Sequence, residues 1–138
     1  MRRITILIGL CAAIASTLTI TGQQASQDLS PIMKGVFREV RELDKAMGAT
    51  GAPVVIQEAE KLQKLFSQAE AFFKTKNADD AVKLAKAQQE SASAIIKFAQ
   101  ANNLDGAQEP IKTLKGRCQV CHMAHREQLP DKTFRFKP

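Results

Sequence analysis

Apolar side chains recur every three or four residues along most of the chain beyond residue 30, which is the spacing of one buried face of an α-helix. The first such stretch follows Ser30 and Pro31, a favourable cap and first helical residue, and it ends at Gly48. Its apolar positions are Ile32, Met33, Val36, Phe37, Val40, Leu43 and Met47. The pattern predicts a first helix with one face in the core.

The same spacing predicts two more helices. The second extends from Pro53 to about Lys76. The third has Asn77 as its cap and continues to about Ala101. Two aspartates in the opening turn of the third helix complement the helix dipole.

A fourth helix opens around residues 105–110, where a proline in the first turn costs little. It continues to Leu129 and Pro130. The tail, residues 131–138, is expected to be irregular, with Phe134 and Phe136 folding back on the body. No strand pattern or internal repeat stands out. Four helices joined by short loops predict an all-α, antiparallel four-helix bundle.

The first residues differ from this pattern. Two arginines follow Met1, and residues 4–20 are uncharged and mostly apolar, as in secretory signals. We expect residues 1–22 to be a signal peptide and residues 23–138 to form one domain in the periplasm, with no membrane span after cleavage. An uncleaved membrane anchor is the alternative, although the apolar stretch is shorter than the roughly 20 residues that a bilayer span needs.

Charge narrows the range of partners. The chain has 20 Lys and Arg against 14 Asp and Glu, a formal charge of +6. Without Arg2 and Arg3 the charge is +4. The lysines are spread along the predicted helices without interleaved aromatic residues, so nucleic-acid binding is not expected. A mildly basic charge can steer a protein toward acidic partners, but solvated helix surfaces also account for these lysines.

The candidate chemistry lies at the end of the fourth helix, where Cys118, Cys121 and His122 form a CxxCH run. This spacing is the signature of covalent haem attachment in c-type cytochromes. On a helix the three side chains share one face, so a single planar ligand can meet both thiols and the imidazole. The thiols would form thioethers and His122 would bind the iron. Since such haem is attached outside the cytoplasmic membrane in bacteria, this motif and the export signal support each other.

Other uses of the cysteines stay open. A disulfide or a thioredoxin-like redox pair would use the two thiols alone, and a zinc site would add His122 and His125. A redox pair normally lies in a βαβ unit and zinc ligands usually come from two separated clusters. Neither context is present in the sequence.

With four helices and its CxxCH on the last of them, the chain resembles the cytochrome c′ and cytochrome c556 family. Residue by residue, the resemblance rests on Cys118, Cys121, His122 and the basic Arg126. The family usually has an aromatic residue three positions after the ligand histidine, where this chain has His125. The resemblance implies one covalent haem c, and it allows a homodimer packed through the first two helices.

The sixth position on the iron would decide the function. Because the start of the first helix lies beside the end of the fourth in such a bundle, Met33 is expected near the height of His122. The resemblance to the c556 branch implies that this methionine ligates iron. The alternative role of Met33 is that of apolar filler. Phe37, one turn further on, would pack on the ring, while His125 is interpreted as a packing residue.

The sequence therefore predicts a non-enzymatic, single-haem cytochrome that passes electrons between redox partner proteins. A five-coordinate protein that binds nitric oxide or carbon monoxide is the second hypothesis, with Met33 or Phe37 crowding the open side. A haem-free structural or zinc-binding helical module is the third.

Overall fold

A computed structural model of the chain describes residues 29–49 and 51–137. Its elements are α1 (Leu29–Ala49), α2 (Ala52–Thr75), α3 (Asp79–Gln100), α4 (Leu104–His125), β1 (Arg126–Gln128) and β2 (Phe134–Phe136). The predicted signal peptide lies outside the described residues. Within them, no helix combines the length and apolar character needed to cross a membrane.

The helices form the predicted four-helix bundle, with each helix packed on the next in sequence. Two- or three-residue connections make successive helices antiparallel. Hydrogen bonds between α3 and α4 show this direction, because Gln88 meets Cys118 while Ser91, further along α3, meets the earlier Arg117. Helices α1 and α4 share far fewer backbone contacts than the sequential pairs, so the bundle is loosest between them.

The core consists of two apolar clusters. The larger one joins all four helices and contains the fully buried Leu43, Val55, Leu62, Ile95 and Leu114. The smaller one lies toward the start of α1 and the end of α2 and consists mainly of alanines, with Ile32 and Phe73 as its large buried members. The apolar spacing read from the sequence therefore predicted the faces on which these helices pack.

Two helix starts differ from the prediction. Asn77 does not cap α3: it lies in the preceding turn with φ 53°, and Ala78 takes the cap position. In α4 the Asn103 side chain accepts a hydrogen bond from the Gly106 backbone N–H, so the helix starts earlier than expected. Pro110 consequently lies in the second turn, where it removes one helical hydrogen bond.

The C-terminal segment forms a hairpin, whereas the sequence predicted an irregular tail. Helix α4 ends at His125 rather than at Leu129, and β1 pairs antiparallel with β2, Arg126 opposite Phe136. The expected return of Phe136 to the body is confirmed, since its ring lies 5.2 Å from that of Phe73. Phe134 remains largely exposed. Strands of three residues are too short to produce a recognisable alternation in the sequence.

Candidate functional site

A cavity of about 180 Å³ opens at the end of the bundle where α1 begins and α4 ends. All four helices line it, and its walls are almost entirely apolar. The lining residues are Met33, Val36, Phe37, Val40, Phe66, Ala69, Phe73, Leu84, Ala85, Gln88, Lys115, Arg117, Cys118, Cys121 and His122. A single water occupies about 30 Å³ in the liquid, so the cavity has room for a ligand much larger than water.

Small side chains and loose helix packing together produce this space. Ala69 of α2 and Ala85 of α3 are buried at positions where the apolar period would accommodate Leu or Ile. On the opposite side, α1 and α4 stay apart. Packed protein interiors rarely leave voids larger than a water molecule, so a space of this size inside a four-helix bundle indicates a binding site.

Helix α4 brings Cys118, Cys121 and His122 together on one wall of the cavity. The two thiols are partly buried, and among the described residues neither forms a disulfide. His122 is more exposed than either cysteine. Two free thiols and one imidazole thus face the same apolar space.

The apolar surroundings hold these groups in their uncharged forms. Burial raises the pKa of the Cys118 thiol, although the hydrogen bond from Gln88 partly opposes this. Burial, together with Cys118 and the Asp80 carboxylate, raises the pKa of Cys121 to about 11. Burial, and secondarily the charge of Arg126, lowers the pKa of His122. A neutral imidazole has the free lone pair that a metal requires.

Gln88 of α3 lies next to Cys118 in the wall of the cavity. Its Nε2 donates hydrogen bonds to the Leu114 carbonyl at 2.9 Å and to Cys118 Sγ at 3.1 Å. Its Oε1 is buried and accepts no hydrogen bond from the described residues. A buried amide oxygen without a partner is rare in native interiors. This atom indicates that the cavity wall is built against a group that residues 29–49 and 51–137 do not supply.

Helix α1 provides the facing wall. Met33 is half-buried and lines the cavity, and its packing also extends into the smaller apolar cluster. Phe37, one turn on, is 67% exposed at the mouth, with the Arg41 guanidinium 5.9 Å from its ring centroid. Met47 lies in the larger cluster, away from this cavity. The structure therefore places Met33 across the same space from the helix that carries His122.

Two residues considered in the sequence lie elsewhere. Arg126 does not line the cavity: it follows the end of α4, and its guanidinium stacks 3.4 Å from the Phe134 ring centroid. His125 is buried, and its ring nitrogens face Asp80 and the Lys137 carbonyl. Within residues 29–49 and 51–137, no three His, Cys, Asp or Glu side chains are grouped to hold a metal ion. The zinc hypothesis gains no support from this arrangement.

Several residues of the site were not identified as such from the sequence. Arg117 reaches across to α3, where it donates to the Ala87 carbonyl and to Ser91 Oγ. Gln88 lies on the apolar side of the third helix. A glutamine at such a position was the available signal, since a buried amide requires partners.

The cavity thus brings together two thiols and an imidazole of α4 and a thioether of α1, in apolar surroundings. The fold and the site together define a small helical bundle with an apolar, cysteine-lined ligand cavity. Comparison with protein-family models, with curated proteins and with solved structures gave no significant match.

Proposed function

We propose that this chain is a single-haem c-type cytochrome that carries electrons between redox partner proteins. The observation that supports this most directly is the position of the CxxCH side chains on the wall of an apolar cavity, with Met33 on the facing helix. The resemblance of the sequence to the cytochrome c′ and cytochrome c556 family agrees with it. The proposed periplasmic location rests on the signal peptide predicted for residues 1–22.

The residues of the chain have distinct tasks in this proposal. Cys118 and Cys121 would fix a haem through thioether bonds, which supplies a reversible one-electron iron centre. His122 would bind the iron through an imidazole nitrogen, and Met33 through its thioether sulfur. A thioether ligand and an apolar cavity both disfavour the more highly charged oxidised centre, so together they raise the reduction potential. Transfer of electrons requires no substrate turnover, so the protein is not an enzyme.

A five-coordinate binder of nitric oxide or carbon monoxide is the second candidate. The packing of Met33 in the smaller apolar cluster favours it, because a methionine held there as filler leaves one side of the iron open. Phe37 and Val36 would then crowd the open side. The two candidates share the same attachment and differ only at Met33.

Covalent haem is tested by producing the full chain in a bacterium that matures c-type cytochromes. We expect a coloured protein whose mass exceeds that of the processed polypeptide by one haem and which retains haem-peroxidase staining on a denaturing gel. The double variant Cys118→Ala/Cys121→Ala should lose the stain. A colourless wild-type protein with the bare polypeptide mass would overturn the proposal.

The ligand at Met33 is tested by ferric absorption spectra of the loaded protein. We expect a low-spin spectrum for the wild type and conversion to high spin in Met33→Leu. Met47→Leu is the matched control, because Met47 is on the same helix but packs in the larger cluster. A high-spin wild-type spectrum that carbon monoxide or nitric oxide changes readily would select the second candidate.

A further inference from the structure

Gln88 connects the middle of α3 to the first cysteine of the cavity wall. The residue is 4% exposed. Its Nε2 lies 3.1 Å from Cys118 Sγ and 2.9 Å from the carbonyl oxygen of Leu114, one turn earlier on α4. A side-chain amide nitrogen carries two hydrogens. One of them is therefore available for the thiol and the other for the backbone beside it.

The amide acts on α4 through its donor side. Its Oε1 is buried and has no hydrogen-bond partner among the described residues. A leucine would fill a similar volume on this apolar helix face without burying an amide, and burial of a polar atom without a partner is unfavourable. Packing alone therefore does not account for a glutamine at position 88. The two N–H donors are what a leucine lacks, and one of them is held on a sulfur.

The two cysteines of the cavity wall differ in their partners. Cys118 Sγ accepts from Gln88, whereas no described residue donates a hydrogen bond to Cys121 Sγ. Burial raises the pKa of both thiols. Gln88 opposes this shift at Cys118, while Cys118 and the Asp80 carboxylate add to it at Cys121. A donor on sulfur stabilises the thiolate, which is the nucleophilic form.

A second residue holds the same turn of α4 against α3. Arg117 Nη1 donates to the Ala87 carbonyl at 2.9 Å and to Ser91 Oγ at 2.7 Å. Neighbouring residues of α4 are thus bonded to α3 on both sides of Gln88. The Arg117 bonds fix the helices relative to each other, whereas the Gln88 bond reaches the reactive atom of Cys118.

We propose that Gln88 is a positioning residue that orients Cys118 Sγ in the cavity wall and makes it the first of the two thiols to react with an electrophile bound there. The inference rests on the proposed function for the identity of this electrophile, a haem vinyl group. In that reaction the sulfur bonds to one vinyl carbon and the thiol proton goes to the other. The addition is redox-neutral and needs no oxidant. The Gln88 N–H stabilises the negative charge on sulfur as the S–H bond ionises.

Alkylation of the thiols tests the proposal in the full chain produced without haem maturation, its helix content verified by circular dichroism. Iodoacetamide labelling is followed under reducing conditions, and fragmentation of the tryptic peptide 118–126 separates Cys118 from Cys121. We expect Cys118 to be labelled before Cys121. Gln88→Leu should slow Cys118 by about tenfold, as for the loss of one charge-assisted hydrogen bond, and should leave Cys121 unchanged.

Two comparisons separate positioning from a purely structural role. Ser91→Ala removes a bond between the same two helices but not the bond to sulfur, so Cys118 should be labelled at the wild-type rate. Gln88→Leu should unfold at no lower denaturant concentration than the wild type, because it replaces a buried amide by an apolar side chain. A Cys118 rate that Gln88→Leu leaves unchanged, or equal slowing of Cys118 and Cys121, would overturn the proposal.

A measurement on the wild type covers the case in which Gln88→Leu fails to fold. The side-chain amide protons of Gln88 should be protected from hydrogen exchange and should shift when Cys118 is alkylated. Exchange at the rate of a free amide would refute the proposal.

Ferrous protoporphyrin IX replaces iodoacetamide in a last experiment on the haem-free chain. We expect the first thioether at Cys118, and a first thioether at Cys121 would overturn the proposal. If Gln88→Leu slows alkylation of Cys118 as expected but the porphyrin forms no adduct, the role of Gln88 is upheld and the cytochrome function fails. The two proposals can therefore fail separately.

Discussion

The two ends of the bundle are built differently from the same kind of helix. Toward the closed end, where α1 meets α2 and α3 meets α4, Leu43, Leu62 and Leu114 are fully buried in one apolar cluster. At the cavity end, the corresponding interior positions carry Ala69 and Ala85, and a cavity takes the place of large side chains. The amphipathic period alone does not distinguish the two ends. Alanines make up most of the buried residues in the smaller cluster at the cavity end and a minority of those in the larger cluster.

This difference assigns separate tasks to the two ends. Buried aliphatic side chains contribute about 1.5–3 kcal/mol each, so most of the folding free energy of the haem-free chain is expected to come from the closed end. The cavity end has less of this packing, and two thiols, an imidazole and a thioether line its cavity instead. A bound ring would supply the missing apolar contact there, which couples cofactor binding to stability.

The largest effect is expected from truncation at the closed end. Leu62→Ala removes a fully buried side chain and should lower the free energy of unfolding by about 2–5 kcal/mol. Denaturant unfolding followed by helical circular dichroism measures this, since the chain has no Trp or Tyr.

Phe37→Ala at the cavity mouth is the matched comparison in the haem-free chain. Its ring is 67% exposed, so we expect a loss below about 1 kcal/mol despite the larger side chain removed. Equal losses for Leu62→Ala and Phe37→Ala would contradict the division of the bundle into a closed end and a cavity end.

The second prediction concerns the thiols of the cavity end. A pKa of about 11 for Cys121, against an ordinary value of 9.0, lowers its thiolate fraction at pH 8 by about a hundredfold. Alkylation of the folded, haem-free chain by iodoacetamide should therefore be about a hundredfold slower at Cys121 than in the denatured chain. Peptide mass spectrometry gives both rates.

The sign of the pH effect on stability follows from the same shift. The folded state keeps the Cys121 proton at pH values where the unfolded chain loses it, so this contribution to stability is full below about pH 9 and is lost toward pH 11. Equal alkylation rates in the folded and denatured chains would show that the thiol faces water and that the cavity wall is open.

Much of the bundle could be predicted from the sequence because a helix repeats its apolar face several times. Each of the four helices gives about six turns of the same spacing, and most of the apolar positions predicted for α1 are buried, although Phe37 among them is exposed. The position of the CxxCH run and of Met33 at one end followed from antiparallel order alone. These features depend on spacing along the chain.

Features that depend on one contact were missed. The end of α4 at His125 requires the hairpin that follows it, and the hairpin consists of two strands of three residues. The burial of His125 requires Asp80, 45 residues earlier in the chain. The small size of Ala69 and Ala85 becomes meaningful only when both are seen to line the same cavity. Contacts of this kind produce no periodic pattern in the sequence.

The third prediction compares the same substitution, alanine to leucine, at the two ends of the bundle. Ala59→Leu inserts three heavy atoms into the closed end, where Ala59 is fully buried, and should cost about 1–3 kcal/mol through overpacking. Ala85→Leu inserts them into the cavity, so the haem-free chain should lose little stability or gain some. The same denaturant measurement compares the two variants.

For haem incorporation we expect the opposite order, with Ala85→Leu impaired more than Ala59→Leu. Ala85→Leu occupies space that a ring would need, so loading should fall in a strain that matures c-type cytochromes, while Ala59→Leu should load normally if it folds. Strong destabilisation by Ala85→Leu in the haem-free chain would mean that the cavity is smaller than it is in the structure.

The smallest effect is expected from the ion pair that joins α1 and α4 beside the cavity. Lys115 Nζ lies 2.6 Å from Asp44 Oδ1, and both side chains are more than 40% exposed. Such pairs contribute about 0.2–1 kcal/mol and are screened by salt, so Asp44→Asn should lower stability by no more than this, and less in 0.5 M salt than in about 0.05 M. Glu42→Gln, whose partner Lys45 is on the same helix, is the control. A loss well above 1 kcal/mol in Asp44→Asn alone would mean that charge, rather than the shared apolar cluster, holds α1 against α4. The closed end would then extend less far toward the cavity than its buried leucines indicate.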